Sequence, residues 1–359
     1  MNLLVGETSE SRLRKAKTKM NKSAFAQLHL TCAFILTVFQ IASAQNSGPV
    51  RQDNPTTYIA DAHVHIGLAC EENRVQISDL EYFSERDIDA FIYAMPVDRS
   101  ETKDLLSRII REVGEIRQET ESNANLSLAQ STDRIARNTE NNKISLMLGI
   151  EYFHGVFGNN LNTIQAYKQL GIQYITLMGG SEDGLFAGTD NLSGFGEKVI
   201  EKMNEVGILI DISHLTEKQM MGVIRYSKSP VLASHSASQG VATRNATLSD
   251  GVLQALKINQ GYIMMTFNTT DLYGNEEQVN SGMEQWIQHI DYLKQFVEMN
   301  HIGIGSDYQA DGKYIPADLN EKDVFQKMAK AMAERGYSPS EINGVLGGNM
   351  LKALTHIEG

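Results

Sequence analysis

Cysteine is almost missing. Cys32 and Cys70 are the only two in 359 residues, so neither a disulfide scaffold nor a cysteine zinc cluster can be built. Positive charge is also short, with 32 Lys and Arg against 44 Asp and Glu, a net of −12. Residues 1–44 hold six basic and two acidic side chains, a net of +4, so the remainder stands at −16. So acidic a body repels phosphates and makes a poor non-specific partner for nucleic acid. Internal repeats and low-complexity tracts are lacking, and no Gly-x-Gly-x-x-Gly follows the first candidate strand. What is present is 42% hydrophobic residues, enough to exclude disorder along the whole chain. The length suits one large domain or two small ones.

The start of the chain reads as an address. Arg12, Arg14, Lys15, Lys17, Lys19 and Lys22 precede an apolar run at 28–41, which ends in Ala42-Ser43-Ala44 before Gln45. Basic region, apolar stretch and small-x-small site follow the order of a secretory signal peptide. The run is shorter than the roughly 20 residues of a spanning helix, although an uncleaved anchor is the competing reading. Met20 offers an alternative start. Cys32 lies inside the run, not at a lipidation boundary. The expectation is cleavage near Ala44/Gln45 and an exported protein, periplasmic or secreted, whose residues 45–359 form a single catalytic domain. No stable membrane insertion is expected after cleavage, and Cys70 would remain as one buried thiol.

Beyond residue 57, short apolar runs alternate with longer amphipathic ones. Candidate strands are 58–62, 90–94, 144–149, 174–177, 208–212, 231–233, 262–266 and 302–305. Candidate helices are 101–119, 161–170, 196–206, 217–226, 248–259, 283–299 and 322–335. In the helix at 283–299, Trp286, Ile290, Leu293 and Val297 recur at helical spacing. Eight strand–helix pairs in about 300 residues predict an α/β fold with a parallel sheet, a (β/α)8 TIM barrel. An open doubly wound sheet competes, without the glycine fingerprint it would favour. Residues 119–140, polar throughout, read as a helix mixed with a surface loop.

Barrel chemistry sits where strands end, and here the ionisable residues gather at such positions. The first strand runs into Asp61-Ala-His63-Val-His65, the third into Glu151, the fifth into Asp211-Ile-Ser-His214, the sixth into Ser234-His235-Ser236 and the eighth into Asp307. Four of the nine histidines thus fall at strand ends. Side chains two apart on a strand point the same way, so His63 and His65 can face one ion. With Glu151, His214 and His235 they form an imidazole and carboxylate set suited to Zn²⁺ and its first-row neighbours. Five ligands exceed what one catalytic zinc takes from protein, and two ions sharing a carboxylate fit better.

In these residues the chain resembles the membrane dipeptidase (renal dipeptidase) family of zinc metallopeptidases, which have an amidohydrolase-like metal-dependent barrel. The matching strings are Asp61-Ala-His63-Val-His65, Ile150-Glu151-Tyr-Phe-His154-Gly, Val206-Gly-Ile-Leu-Ile-Asp211-Ile-Ser-His214-Leu, Ser234-His235-Ser, Arg244-Asn245, His301-Ile-Gly-Ile-Gly-Ser-Asp307 and Gly347-Gly-Asn-Met-Leu. They keep the family's order from Tyr58 to the C-terminus. The resemblance implies two Zn²⁺ per chain, one on His63 and position 65, the other on His214 and His235, with Glu151 bridging them. It implies Asp307 as acid/base and Arg244 as the holder of a dipeptide's carboxylate. Three departures stand out. Position 65 is His where familiar members have Asp, a neutral ligand in place of a negative one. The substrate-contacting His after the fourth strand is missing, with Met178-Gly179-Gly180 in its place. The segment between the first and third strands is short and polar.

The chemistry implied is hydrolysis. Two cations lower the pKa of a shared water and polarise a carbonyl, while Asp307 takes the water's proton and gives it to the leaving amine. Arg244 suits bidentate carboxylate recognition. His154 and Asn245 join the substrate-binding set, with a donor behind a ligand and a loop-fixing role as their alternatives. Asp61 and Asp211 are candidates to orient ligand imidazoles, and His289 and His301 are read as non-ligands. The leading expectation is an exported binuclear zinc dipeptidase. A metal-dependent amidohydrolase or lactonase acting on an N-acyl amino acid, a cyclic amide or a lactone is the alternative, and a barrel that only binds is a third. A dipeptide or other small molecule is the expected partner, with a homodimer by analogy to relatives.

Overall fold

A computed structural model describes residues 58–66, 82–97, 105–151, 160–178, 184–188, 190–243, 247–274, 281–309 and 312–358. The expected signal segment, Cys32, Cys70, His154, Arg244 and Asn245 lie outside the described residues. Those described belong to one unit, Thr57–Gly359.

Each of the eight predicted apolar runs is a strand. They are β1 (Ala60–His65), β2 (Ala90–Pro96), β3 (Ile144–Glu151), β4 (Ile172–Thr176), β5 (Leu209–Asp211), β6 (Leu232–Ser236), β7 (Tyr262–Met265) and β8 (Ile302–Ile304). Neighbours in sequence are neighbours in the sheet, and all pairs are parallel. Just beyond β8, Tyr308 and Gln309 pair in parallel with Val64 and His65 of β1, and the Asp307 N–H donates to His63 O at 3.0 Å. The sheet therefore closes on itself as a (β/α)8 barrel, which rules out the open sheet.

Strand period 2 sorts the core into two layers. Ala90, Ile92 and Ala94 of β2, Tyr174 of β4, Leu209 of β5, Leu232 of β6 and Tyr262 and Met264 of β7 fill one buried cluster. Their alternates Phe91, Tyr93, Ile175, Ile210, Ala233, Ile263 and Met265 pack in the other, beneath the helices. The first is the barrel interior, and Met350, Ala353 and Leu354 of the C-terminal helix Asn349–Thr355 pack into it. On β1, Ala60 and Ala62 join the interior while Val64 joins the outer layer. A register shift between Asp61 and Val64 makes that change and turns His63 and His65 inward at the mouth.

The helices that return the chain are α1 (Leu105–Ser122), α2 (Thr132–Glu140), α3 (Asn162–Leu170), α4 (Gly194–Val206), α5 (Glu217–Tyr226), α6 (Asp250–Asn259), α7 (Thr269–Tyr273), α8 (Met283–Leu293) and α9 (Val324–Glu334). Caps set their starts. Thr216 and Gln219 form a capping box at α5, and the Ser249 hydroxyl accepts from Val252 N–H, so α6 begins two residues later than predicted. Helix α8 ends at Leu293, short of the predicted 299, yet Val297 remains buried with Trp286 and Ile290. The polar stretch 119–140 holds the end of α1, the capped α2 and an unpredicted short strand, Leu126–Leu128, on the edge of β3.

Candidate metal centre

Five strand ends deliver the site. His63 and His65 come from β1, Glu151 from β3, His214 from the turn after β5, His235 from β6 and Asp307 from the turn after β8. Glu151 Oε1 lies 2.8 Å from His214 Nε2, 3.5 Å from His235 Nε2 and 3.6 Å from His63 Nε2. Glu151 Oε2 lies 3.1 Å from His65 Nε2. Asp307 Oδ1 is 3.4 Å from the same His65 nitrogen. Potential ligand atoms thus form two triads, His63–His65–Glu151 and Glu151–His214–His235, and Glu151 belongs to both. All of these side chains are deeply buried except His214, which is 27% exposed, so solvent reaches the cluster beside it.

Two of these residues hold unusual backbone. His214 has φ 65° and Asp307 φ 57°, a region that costs a residue with a Cβ energy and that clusters at functional sites. Local carboxylates support each end. Asp211 Oδ1 accepts from Ser213 N–H at 3.0 Å, opening the turn that projects His214. Asp61 Oδ1 accepts from His63 N–H at 3.1 Å and from Ser306 N–H at 2.9 Å, tying the end of β1 to that of β8. Asp61 therefore acts on the backbone, not on an imidazole as expected.

The charges depend on one another. For His65, burial lowers the pKa, but the carboxylates of Glu151 and Asp307 overcome it and raise it to about 10. For Glu151, burial works toward the neutral acid, and His65 and His63 outweigh it and hold the carboxyl well below its usual range. Asp307 is likewise lowered to about 2, since its bond to His65 and the neighbouring His235 and His63 overcome burial. His235 is lowered to about 3 by burial and by His63 and His214.

The donor set fits a cation. His214 and His235 bring their Nε2 atoms to 2.8 Å, and His63 and His65 to 3.2 Å. Two ring nitrogens at such a distance share at most one proton. Glu151 Oε2 is buried with only the ion-pair contact to His65 Nε2 at 3.1 Å and no well-directed hydrogen bond, so it keeps lone pairs that a ligand bond would satisfy. Imidazole nitrogen and carboxylate oxygen are borderline and hard donors of the kind zinc accepts. His289 and His301 stand apart: His289 bonds Ser238 and Leu272 O, and His301 bonds Gly261 O.

The residues of the membrane dipeptidase family model (peptidase family M19) match 53–359 of this chain. The chain belongs to that family. Mouse (Mus musculus) dipeptidase 3 is 27% identical over 275 residues, covering 72% of this chain and 53% of that protein. Dipeptidase tcpJ of Claviceps purpurea is 25% identical over 278 residues, covering 75% and 62%. The chain spans about half the length of the dipeptidase 3 relatives it matches. Among solved structures, a Rhodobacter sphaeroides metallo peptidase with a phosphinate mimic of L-Ala-D-Ala superposes with a TM-score of 0.74 at 18% identity, covering 84% of this chain and 99% of that one. An amidohydrolase from Pseudomonas aeruginosa gives 0.72 at 20% identity, covering 84% and 96%. At such identities these two establish the shared barrel.

Several residues that support this site carry little signal of that role in the sequence. Asn268 Nδ2 donates to Asp307 Oδ2 at 2.8 Å, while its Oδ1 caps α7 by accepting from Thr270 N–H at 3.0 Å. The cap fixes which way the amide points. Tyr174, Thr176, Ser213 and Ser234 lie in the polar layer beneath the histidines. An Asn before a helix was the one readable hint. Among the described residues, no helix is long and apolar enough to cross a membrane.

Proposed function

We propose that this chain is an exported metallo-dipeptidase that holds two zinc ions and hydrolyses the amide bond of a dipeptide or similar small substrate. The observation that carries this reading is the convergence of four imidazole Nε2 atoms on the single Glu151 carboxylate, with Asp307 alongside. His63 and His65 would hold one ion, His214 and His235 the other, and Glu151 both. When bound, the ions supply a water activated for attack and polarise the scissile carbonyl.

The remaining work falls to the chain. Asp307 is held ionised by the imidazoles around it and oriented through Oδ2 by Asn268. Its Oδ1 accepts the proton of the attacking water and delivers it to the leaving nitrogen. Partial exposure of His214 supports substrate entry on that side of the site. Arg244 would take the substrate carboxylate, with His154 and Asn245 lining the pocket. Residues 1–44 would direct export and be removed near Gln45.

A second reading keeps the ions and changes the substrate to an N-acyl amino acid, a cyclic amide or a lactone. It is favoured by residues 174–183 (Tyr174 through Asp183), which contain no histidine to grip a carbonyl. One experiment separates them. Purified protein is analysed for zinc per chain and assayed, with and without chelator, on dipeptides bearing L- or D-residues at the C-terminal position and on the alternative substrates. Two zinc ions and chelator-sensitive dipeptide cleavage are expected. Cleavage confined to the alternatives selects the second reading, and metal-free protein without hydrolysis overturns both.

A further inference from the structure

Behind the imidazoles, away from Glu151, one hydroxyl serves both halves of the centre. Ser234 Oγ lies 3.0 Å from His63 Nδ1 and 2.8 Å from His235 Nδ1. It also lies 2.7 Å from Asp211 Oδ2. His63, Asp211 and His235 form a third cluster of ligand-type atoms, but Ser234 Oγ already sits among them. The cluster is a hydrogen-bonded hub, not a third cation site.

Counting donors and acceptors gives the hub a direction. Asp211 accepts five bonds: the N–H groups of Ser213 (3.0 Å) and Ser234 (2.9 Å) and the hydroxyls of Thr176 (2.6 Å), Ser213 (2.8 Å) and Ser234. A carboxylate only accepts, so Ser234 gives Asp211 its single proton. The oxygen then has lone pairs alone to offer the imidazoles, and the Nδ1–H groups of His63 and His235 donate to it. Ser234 thus donates once and accepts twice, which exhausts its capacity. The Tyr174 oxygen, 2.8 Å from His63 Nδ1, shares the same His63 N–H. Gly149 makes the arrangement possible, since a Cβ there would come within 2.6 Å of the Tyr174 ring.

We infer that Ser234, polarised by Asp211, is a positioning residue that fixes the Nδ1–H tautomer of both His63 and His235 and so turns both Nε2 lone pairs toward the ions. The inference rests on the reading of those histidines as ligands of two different cations. One hydroxyl would then orient one imidazole of each pair, and its removal should weaken both ions together.

The test begins on wild-type protein freed of metal. Histidine ¹⁵N NMR should show His63 and His235 as neutral Nδ1–H tautomers before any zinc is added, and Nε2–H tautomers would overturn the inference. Competition of Zn²⁺ against a chromophoric chelator then compares variants. Ser234→Ala should bind both ions roughly 10- to 100-fold more weakly, and Ser234→Thr, which keeps the hydroxyl, should recover most of the loss. Asp211→Asn can donate where Asp211 accepted, and should behave like Ser234→Ala despite its equal size. Unchanged affinity in Ser234→Ala, or a loss confined to one ion, overturns the inference. If wild-type protein binds no zinc, the proposed function fails, and the tautomers of the two rings still decide the role of Ser234.

Discussion

Glu151 and Asp307 are acids buried against the same imidazoles, yet they should answer differently to the loss of charge. Glu151 has an oxygen within 3.6 Å of each of the four ring nitrogens. An amide there offers one acceptor and places N–H donors among the atoms proposed as ligands. Glu151→Gln should therefore lose both ions by elemental analysis. Asp307 touches only His65 of that set and is held from behind by Asn268. Asp307→Asn should retain both ions while kcat falls by roughly 10²- to 10⁴-fold, the range of a lost general acid/base. Equal metal loss in the two variants would contradict this division of labour. His289 gives a prediction for stability. It is buried between Ser238 and Leu272 O, and burial lowers its pKa to about 4. The unfolded chain therefore binds this proton first as pH falls, so its contribution is complete above about pH 6.5 and is lost progressively toward pH 4, roughly 3 kcal/mol in all. Urea titrations of wild type and His289→Gln at pH 7.5 and 4.5 should show the gap between them narrowing by about 2–3 kcal/mol. A gap equal at both pH values would show that the imidazole takes up its proton equally in the folded and unfolded states.

The elements show what a sequence can and cannot reveal. Barrel strands are covered on both faces, so they read as apolar runs, and each of the eight runs is a strand buried along nearly its whole length. Their ends were legible because His and Asp interrupt those runs abruptly. The hub beneath the histidines was not. Thr176 meets Asp211 35 positions away, and Ser234 meets Asp211 23 and His63 171 positions away, and no periodicity encodes such meetings between small polar residues. Asp61 was recognised as a support, but whether it would bond an imidazole or the backbone depends on the closure of β1 against β8. Leu126–Leu128 was missed because three residues carry too little alternation to stand out. Closure also makes a prediction at β8. A Cβ on Gly305 would lie 1.8 Å from Ser234 O, backbone that cannot yield without moving the hub. Gly305→Ala should lower stability by at least about 3 kcal/mol, read as a fall in urea midpoint with an unchanged slope. A near-wild-type midpoint would mean that the end of β8 can shift without cost.

At the scale of the whole molecule, the site joins residues that are distant in the chain. Ligand-type atoms from positions 63, 65, 151, 214 and 235 meet only when β1, β3, β5 and β6 are in register around the axis. The unfolded chain cannot present this set, so ions bound here favour the native state alone. Their contribution is RT ln(1 + [L]/Kd), about 4 kcal/mol per ion at a free concentration a thousand times Kd. The same geometry makes emptying the centre unfavourable, because it leaves four imidazoles and two carboxylates crowded together with too few protons to pair them. For a domain of this size each kcal/mol moves Tm by roughly 2–4 °C. Stripping the protein with chelator should therefore lower Tm by about 10 °C or more, and restoring Zn²⁺ should recover it in proportion to the logarithm of free zinc. The transition should stay single in both forms, since the ligands belong to one closed sheet. If elemental analysis shows the ions gone while Tm stays put, the cations were held at the surface, and the buried carboxylate of Glu151 is not where they bind.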